Sequence, residues 1–534
     1  MSTYKTFNKK VTSQTEKASS KQVKNNAGGY TFEVSDEQRI RRFLILGSNT
    51  NTFYQSGTEL TKENGEFLIR AAENTPELLV GAIEDVYRSG SAAKQDPTLL
   101  ALAIAVSYIQ KDSAAYKKAL SLISELRTAT HLFTLVDYAQ QFRGWGRSFR
   151  EAVAQWYLGR DTDKLAYQMV KYRNRNGWTH RDVLRKSHPS TTDPAKNALL
   201  KWTTSGEVGE LPPIVTSYLQ ANSSDADVAA QVRENKDLTW EMLPTESLKD
   251  PDVWEALVHN GIPMTALIRN LSRLSRLELT PQMGGLTNKI VEQISNKDAL
   301  NKARVHPMQI LFASSAYSVG YSTRSANAVW AVNPKIVDAL NDAFYLSFGS
   351  FEPAGKRTFI GLDVSGSMGI RLDPFNPLTA KSASVALSLV QLATEKNVTV
   401  TGFTSKGHWR NGPHLEVINL SAKRSIEENV REAQKLPFGS TDCALPMLYA
   451  AKNEIEVDTF IIYTDNETWA GDIHPHQALQ QYRNKMGIPA KLVVVGMTST
   501  GFSIADPDDT GMLDVVGFDA STPKIINDFS AGRI

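Results

Sequence analysis

Near residue 350 the hydrophobic residues of this chain change their period, and no single core serves both patterns. Upstream, apolar side chains recur at helical spacing. Leu99, Leu102, Ala103, Val106 and Ile109 share one face, and Asp96-Pro97 marks the helix start. Similar stripes run through 115–126, 148–158, 263–274, 285–294 and 335–347, separated by Gly, Pro or Ser/Thr/Asp clusters. Many short helices in tandem, with no heptad and no strand alternation between Val34 and Ser347, predict an α-solenoid.

The text changes character at Gly349–Lys356. Thr358–Leu362, Val398–Phe403, Thr459–Tyr463 and Lys491–Val495 are short apolar runs of the kind buried parallel strands use. Helical patterns at 380–395, 424–435 and 475–486 alternate with them, which predicts a doubly wound, mostly parallel α/β sheet. A length of 534 residues is ample for two such domains.

Residues 1–29 read differently again. Lys5, Lys9, Lys10, Lys17, Lys21 and Lys24 stand against Glu16 alone, and too few apolar groups are present to drive folding. A disordered basic tail is expected, either solubilising or grazing RNA. Net charge is only +2, so a nucleic-acid site must be local. The one cysteine, Cys443, excludes an intrachain disulfide and a multi-cysteine zinc site. No apolar run approaches the roughly 18–20 residues of a membrane span, and Met1–Tyr30 lacks the apolar core of a secretory signal. A cytoplasmic protein is expected.

The sharpest motif is Asp363-Val364-Ser365-Gly366-Ser367, at the carboxyl end of the first strand of the α/β half. Ligands of open α/β sheets gather there. Asp363, Ser365 and Ser367 alternate in a glycine-containing turn, and two further strand ends supply Thr441-Asp442 and Thr464-Asp465-Asn466. Oxygen donors of which only some are charged suit a hard cation such as Mg²⁺ or Mn²⁺. This D-x-S-x-S string with a later Thr and a later Asp resembles the metal-ion-dependent adhesion site of the von Willebrand factor A fold. That resemblance implies Asp363, Ser365, Ser367, Thr441 and Asp465 as the metal shell.

In the helical half, Lys171 to His188 carries six Lys/Arg against one Asp. Asn176-Gly177 reads as a helix stop, and Thr179 with Asp182 as the cap of the next helix. Lys171 and Arg175, four apart, are expected to share a face. Arg181, Arg185 and His188 share another, away from Val183-Leu184. Like charges stacked at this spacing destabilise a bare helix, and phosphate oxygens would offset them.

Several strings resemble the Ro autoantigen (TROVE-domain) family. They are Asn176-Gly177-Trp178-Thr179-His180-Arg181-Asp182-Val183-Leu184-Arg185, Gly439 to Met447, Tyr463 to Thr468, and Ala505 to Asp509, joined by Lys94-Gln95-Asp96-Pro97 and Thr130 to Thr134. The similarity spans nearly the whole chain from about residue 29, and the single cysteine leans toward a bacterial member. It implies a ring of HEAT-like repeats (30–350) closed by a von Willebrand factor A-like domain (351–534), one chain per ring. It further implies Y RNA on the outer surface, and single-stranded 3′ ends of misfolded noncoding RNA in the central hole. Lys171, Arg175 and His188 match the Y RNA contacts, with Arg181 and Arg185 as helical neighbours. Bacterial relatives work with exoribonucleases, such as polynucleotide phosphorylase, in maturation, decay and stress recovery. No catalytic residues are indicated, and no hydrolase triad order is present. A metal-dependent adhesion module with a helical spacer, and more remotely a metal-dependent nuclease, are the competing readings.

Overall fold

The computed structural model describes residues 11–47, 55, 57–323, 325–348, 352–373, 375–405, 414–436 and 439–534. Residues 1–10 of the expected tail and 349–351 at the change of pattern lie outside these. The described residues form 23 α-helices, eighteen of them between Asp36 and Leu346.

Helix starts are set by side chains that accept the unpaired N–H groups of the first turn. Ser35 and Gln38 close a capping box at the start of Asp36–Leu46. Asp161, Asp193, Asp250 and Asn333 cap Thr162–Lys171, Pro194–Ser205, Pro251–His259 and Pro334–Leu346. The apolar stripes then stack in two layers, where a helix packs on its successor but one. Gly57–Asn74 meets Asp96–Tyr108, which meets Ala129–Phe142, while Pro76–Ser89 meets Ala114–Ser124. Asp96–Tyr108 is consequently buried on nearly every side.

The stack closes on itself. The loop after Pro76–Ser89 reaches the start of Pro307–Ser318, over two hundred residues on. There His306 Nε2 donates to the Ser91 carbonyl (2.8 Å) and Gln309 Nε2 to the Ala93 carbonyl (2.9 Å). Lys94 pairs with Asp373 at 2.7 Å, which brings the α/β domain to the same seam.

The α/β sheet has the spatial order Met512–Val516, Lys491–Gly496, Thr459–Thr464, Thr358–Asp363, Val398–Thr404, His414–Val417. Five strands are parallel and the edge strand His414–Val417 is antiparallel. Strand alternation divides the core. Ile360, Leu362, Ile461 and Tyr463 join the cluster continuous with the helical body, while Phe359, Phe460 and Ile462 line the other face.

Both ends of the helical array grip this domain. Arg42, fully buried in the first helix, donates to the carbonyls of Thr500 (2.8 Å) and Phe502 (2.7 Å) and pairs with Asp514. From the other end, Ser314 and Ser318 donate to Glu427 Oε1 at 3.2 and 3.1 Å.

Two expectations need correction. Residues 11–29 are ordered: Gln22–Lys24 pairs antiparallel with Tyr30–Glu33, which pairs with Phe502–Ser503. Polar side chains bonded to the α/β loops replace the apolar content that this segment lacks. The helical half also contains two short hairpins, Asn174–Arg175 with Trp178–Thr179 and Tyr321–Ser322 with Ser325–Val329. Three of these four strands have only two residues, too few to show an alternation.

Two outcomes are expected. Arg42→Met leaves Asp514 buried without its cation and costs about 3–5 kcal/mol in urea denaturation. His306 accepts from Met308 N–H (3.1 Å) through Nδ1, so the neutral ring holds the seam, and burial lowers its pKa from 6.5 to about 4. The unfolded chain therefore binds the extra proton first, and this contribution is intact above pH 6.5 and lost as pH falls toward 4. His306→Ala should show a smaller loss of stability than the parent across that window.

Candidate metal centre and nucleic-acid interface

The sheet changes winding direction between Thr358–Asp363 and Thr459–Thr464, neighbours in space but a hundred residues apart. Beyond the carboxyl ends of strands at such a switch point lies the crevice of an open α/β fold. Asp363 ends one strand, and Asp465 follows the other.

Local geometry gathers the motif. Asp363 Oδ1 accepts from Ser365 N–H at 2.9 Å, its Oδ2 accepts from Thr464 Oγ1 at 2.8 Å, and the Ser365 and Ser367 hydroxyls lie 3.1 Å apart. Ser367 also bonds toward Asp465. Gly366 N–H donates to the Gly439 carbonyl (3.2 Å), which ties the 439–442 loop to the turn. Asp363, Ser365, Ser367, Thr441 and Asp465 are all 2% exposed or less.

The electrostatics favour a cation. Burial raises the Asp363 carboxyl above its ordinary range. Asp465 is pushed up to about 8, first by burial and then by the charge of Asp363. Lys381 is the cation that acts on Asp363, and burial lowers its own pKa. The Thr441 hydroxyl is buried and has no hydrogen-bond partner among the described residues. Two carboxylates, two serines and an orphaned threonine oxygen fit a hard divalent ion. Among the described residues no three His, Cys, Asp or Glu side chains cluster for a metal, so the donor set here is chiefly hydroxyl.

Asp442 and Asn466, read as possible donors, face elsewhere. Asp442 Oδ1 accepts from Gln14 Nε2 (2.8 Å) and Ala444 N–H (3.1 Å), and Asn466 Oδ1 accepts from Ile504 N–H (3.1 Å). Gln14 and Asn26 are functional candidates that sequence reading missed, because nothing distinguishes them from other polar residues of a basic tail. His474 is fully buried, and its ring bonds Gln22 and the Glu16 carbonyl.

The basic segment is built otherwise than its spacing suggests. The helix Thr162–Lys171 ends at Tyr172, and Arg175 sits on a hairpin strand opposite Trp178. Lys171 and Arg175 therefore share no helix face. Asn176 (φ 52°) and Gly177 (φ 79°) form the central pair of a tight hairpin turn, since two left-handed residues match the strand twist there. The next helix, His180–Ser187, begins with the expected Thr179/Asp182 capping box and ends at His188. Its Val183 and Leu184 face is buried; Arg181, Arg185 and His188 are exposed, as is Arg175.

No ion pair engages Arg175, Arg181, Arg185 or Lys186 among the described residues, and Asp182 is used by the cap. Lys171 is half-buried: its ammonium lies 3.1 Å from the Tyr167 hydroxyl and over the Tyr167 and Tyr172 rings. Beneath the segment, His180 bonds Tyr157 (3.0 Å), and burial lowers its pKa to about 4, so it stays neutral and structural.

A closed array of helical repeats clasped by a von Willebrand factor A-type domain defines a ring protein of the TROVE class. Residues 23–209 and 215–327 match the TROVE domain, and residues 357–530 match the Ro60 vWA domain. The chain belongs to the Ro60 family. It is 39% identical over 530 residues to the RNA-binding protein RO60 of Deinococcus radiodurans, covering 98% of this chain and 97% of that one. Identity to the RNA-binding protein RO60 of Caenorhabditis elegans is 34% over 611 residues, covering 98% and 92%. The crystal structure of the Deinococcus radiodurans RO (RSR) protein superposes with a TM-score of 0.70 at 38% identity, covering 94% of this chain and all of that one.

Gly177→Val tests the hairpin. A Cβ there meets no atom within 4 Å, so the cost is backbone strain alone, about 1–2 kcal/mol. Faster amide exchange confined to 174–179, with an unchanged global melting temperature, is expected.

Proposed function

We propose that this protein is a non-enzymatic RNA-binding scaffold for noncoding RNA quality control. Y RNA is held on the outer ring surface by Lys171, Arg175, Arg181, Arg185 and His188, and single-stranded 3′ ends of misfolded RNA enter the central hole. The observation that carries this reading is a run of exposed guanidinium groups that no acid neutralises, on a hairpin and helix whose other face is firmly buried. Such groups lower in energy when phosphate oxygens approach. The names of the two relatives, both RNA-binding proteins, support the same reading. An exoribonuclease such as polynucleotide phosphorylase is the partner this role calls for, in the cytoplasm.

The α/β domain is read as a Mg²⁺ or Mn²⁺ site held by Asp363, Ser365, Ser367, Thr441 and Asp465. A bound ion would supply a positive charge able to orient an anionic oxygen. The protein residues hold the ion's ligands rigid, and the strand ends exclude bulk water from them.

Replacing Lys171, Arg175 and His188 together by Ala is expected to weaken binding of a Y-like hairpin RNA roughly tenfold or more in a filter assay. Each lost phosphate contact should also flatten the log–log salt dependence by about 0.7–0.9. Full affinity in a folded triple variant, with an unchanged slope, would remove the segment from the RNA surface.

A further inference from the structure

We propose that the N-terminal segment 12–33 is the positioning strap of the metal centre and that Gln14 is the residue through which it acts. The inference rests on the cation reading of Asp363, Ser365, Ser367, Thr441 and Asp465, and deepens it.

Gln14 is fully buried, and its amide is used at both ends. Nε2 donates to Asp442 Oδ1 (2.8 Å) and to the Ile473 carbonyl (2.9 Å), while Oε1 accepts from the Thr468 hydroxyl (2.6 Å). That same Thr468 oxygen accepts from Cys443 N–H at 3.1 Å. One side chain from the start of the molecule thus fixes the loop bearing Thr441 against the loop bearing Asp465. The backbone is held too: Gln14 N–H donates to the Gly471 carbonyl (3.0 Å).

Further along the strap, Asn25 Nδ2 donates to the Thr468 carbonyl (2.8 Å). Asn26 Nδ2 and Ala27 N–H each donate to the Glu467 carboxylate at 2.9 Å. Both acids that flank the shell, Asp442 beside Thr441 and Glu467 beyond Asp465, are therefore engaged by strap donors. The shell is left with two carboxylates, whose charge a divalent ion there balances without an excess of negative charge.

The fit leaves no slack. A Cβ on Gly471 would stand 2.4 Å from Gln14 Nε2 and 2.5 Å from Asp442 Oδ1, and one on Gly29 would stand 2.0 Å from the Thr468 carbonyl oxygen. Groups that orient metal ligands typically govern roughly 10–100-fold in metal affinity.

The test is a Mn²⁺ titration of the full chain, with free ion read by electron paramagnetic resonance and stability read by melting in EDTA. Gln14→Ala is expected to weaken Mn²⁺ binding tenfold or more. Asp442→Asn, which keeps the accepting oxygen, should hold affinity within about threefold of the parent, consistent with an orienting role. Lys21→Ala, on the same strap but paired only with Asp508 at the surface, should leave affinity unchanged. If Gln14→Ala does not fold, Gln14→Met fills the space without the amide and is read in its place. Parental affinity in the Gln14 variant, with binding abolished by Asp363→Ala, overturns the strap and leaves the metal site standing. Mn²⁺ binding indifferent to Asp363→Ala overturns both.

Discussion

A stack of helices presents an apolar end at each terminus, and those ends must be covered before the stack is stable in water. Here they cover one another. The turn at Ser91–Lys94 meets His306–Phe312, and the α/β domain bridges the join from both sides, through Arg42 of the first helix and through its own Glu427, which accepts from Ser314 and Ser318 of the last repeats. The contacts at this seam are polar and directional: a neutral imidazole, a buried guanidinium, carbonyl acceptors. Such groups specify one arrangement, because a slipped register would leave each of them desolvated and unpaired.

Charge is distributed in opposite ways at the two candidate sites. At the switch point the carboxylates of Asp363 and Asp465 are buried together, and burial raises both pKa values; a cation there would offset the charge that burial disfavours. On the helix His180–Ser187 and the hairpin before it, the cations are outside and the structural groups inside. His180, Trp156 and Phe133 pack as a rigid floor that positions the guanidinium groups without neutralising them. The first arrangement suits a small ion held tightly. The second suits a polyanion that comes and goes.

Much of this was legible in the residues. The helical stripes, the alternation after residue 350 and the D-x-S-x-S turn each follow from a local period or a local turn, and each element lies where its pattern placed it. Where the pattern was too short, it misled. Asn176-Gly177 serves equally as a helix stop or as a hairpin turn, and only the pairing of Arg175 with Trp178 decides between them. The edge strand His414–Val417 carries only two apolar positions, and the short run Met512–Val516 is interrupted by Asp514.

The sequence by itself determined the two architectures, the oxygen-bearing side chains of the D-x-S-x-S turn and the basic residues of the 171–188 segment, since each is written in near neighbours. Tertiary structure alone decided that the polar residues 11–33 fold back onto the α/β loops, that Asp442 answers to Gln14, and that the helical array closes. Those outcomes depend on hydrogen bonds between groups more than two hundred residues apart. A buried glutamine and a solvated one have the same letter, and only the surface that receives it distinguishes them.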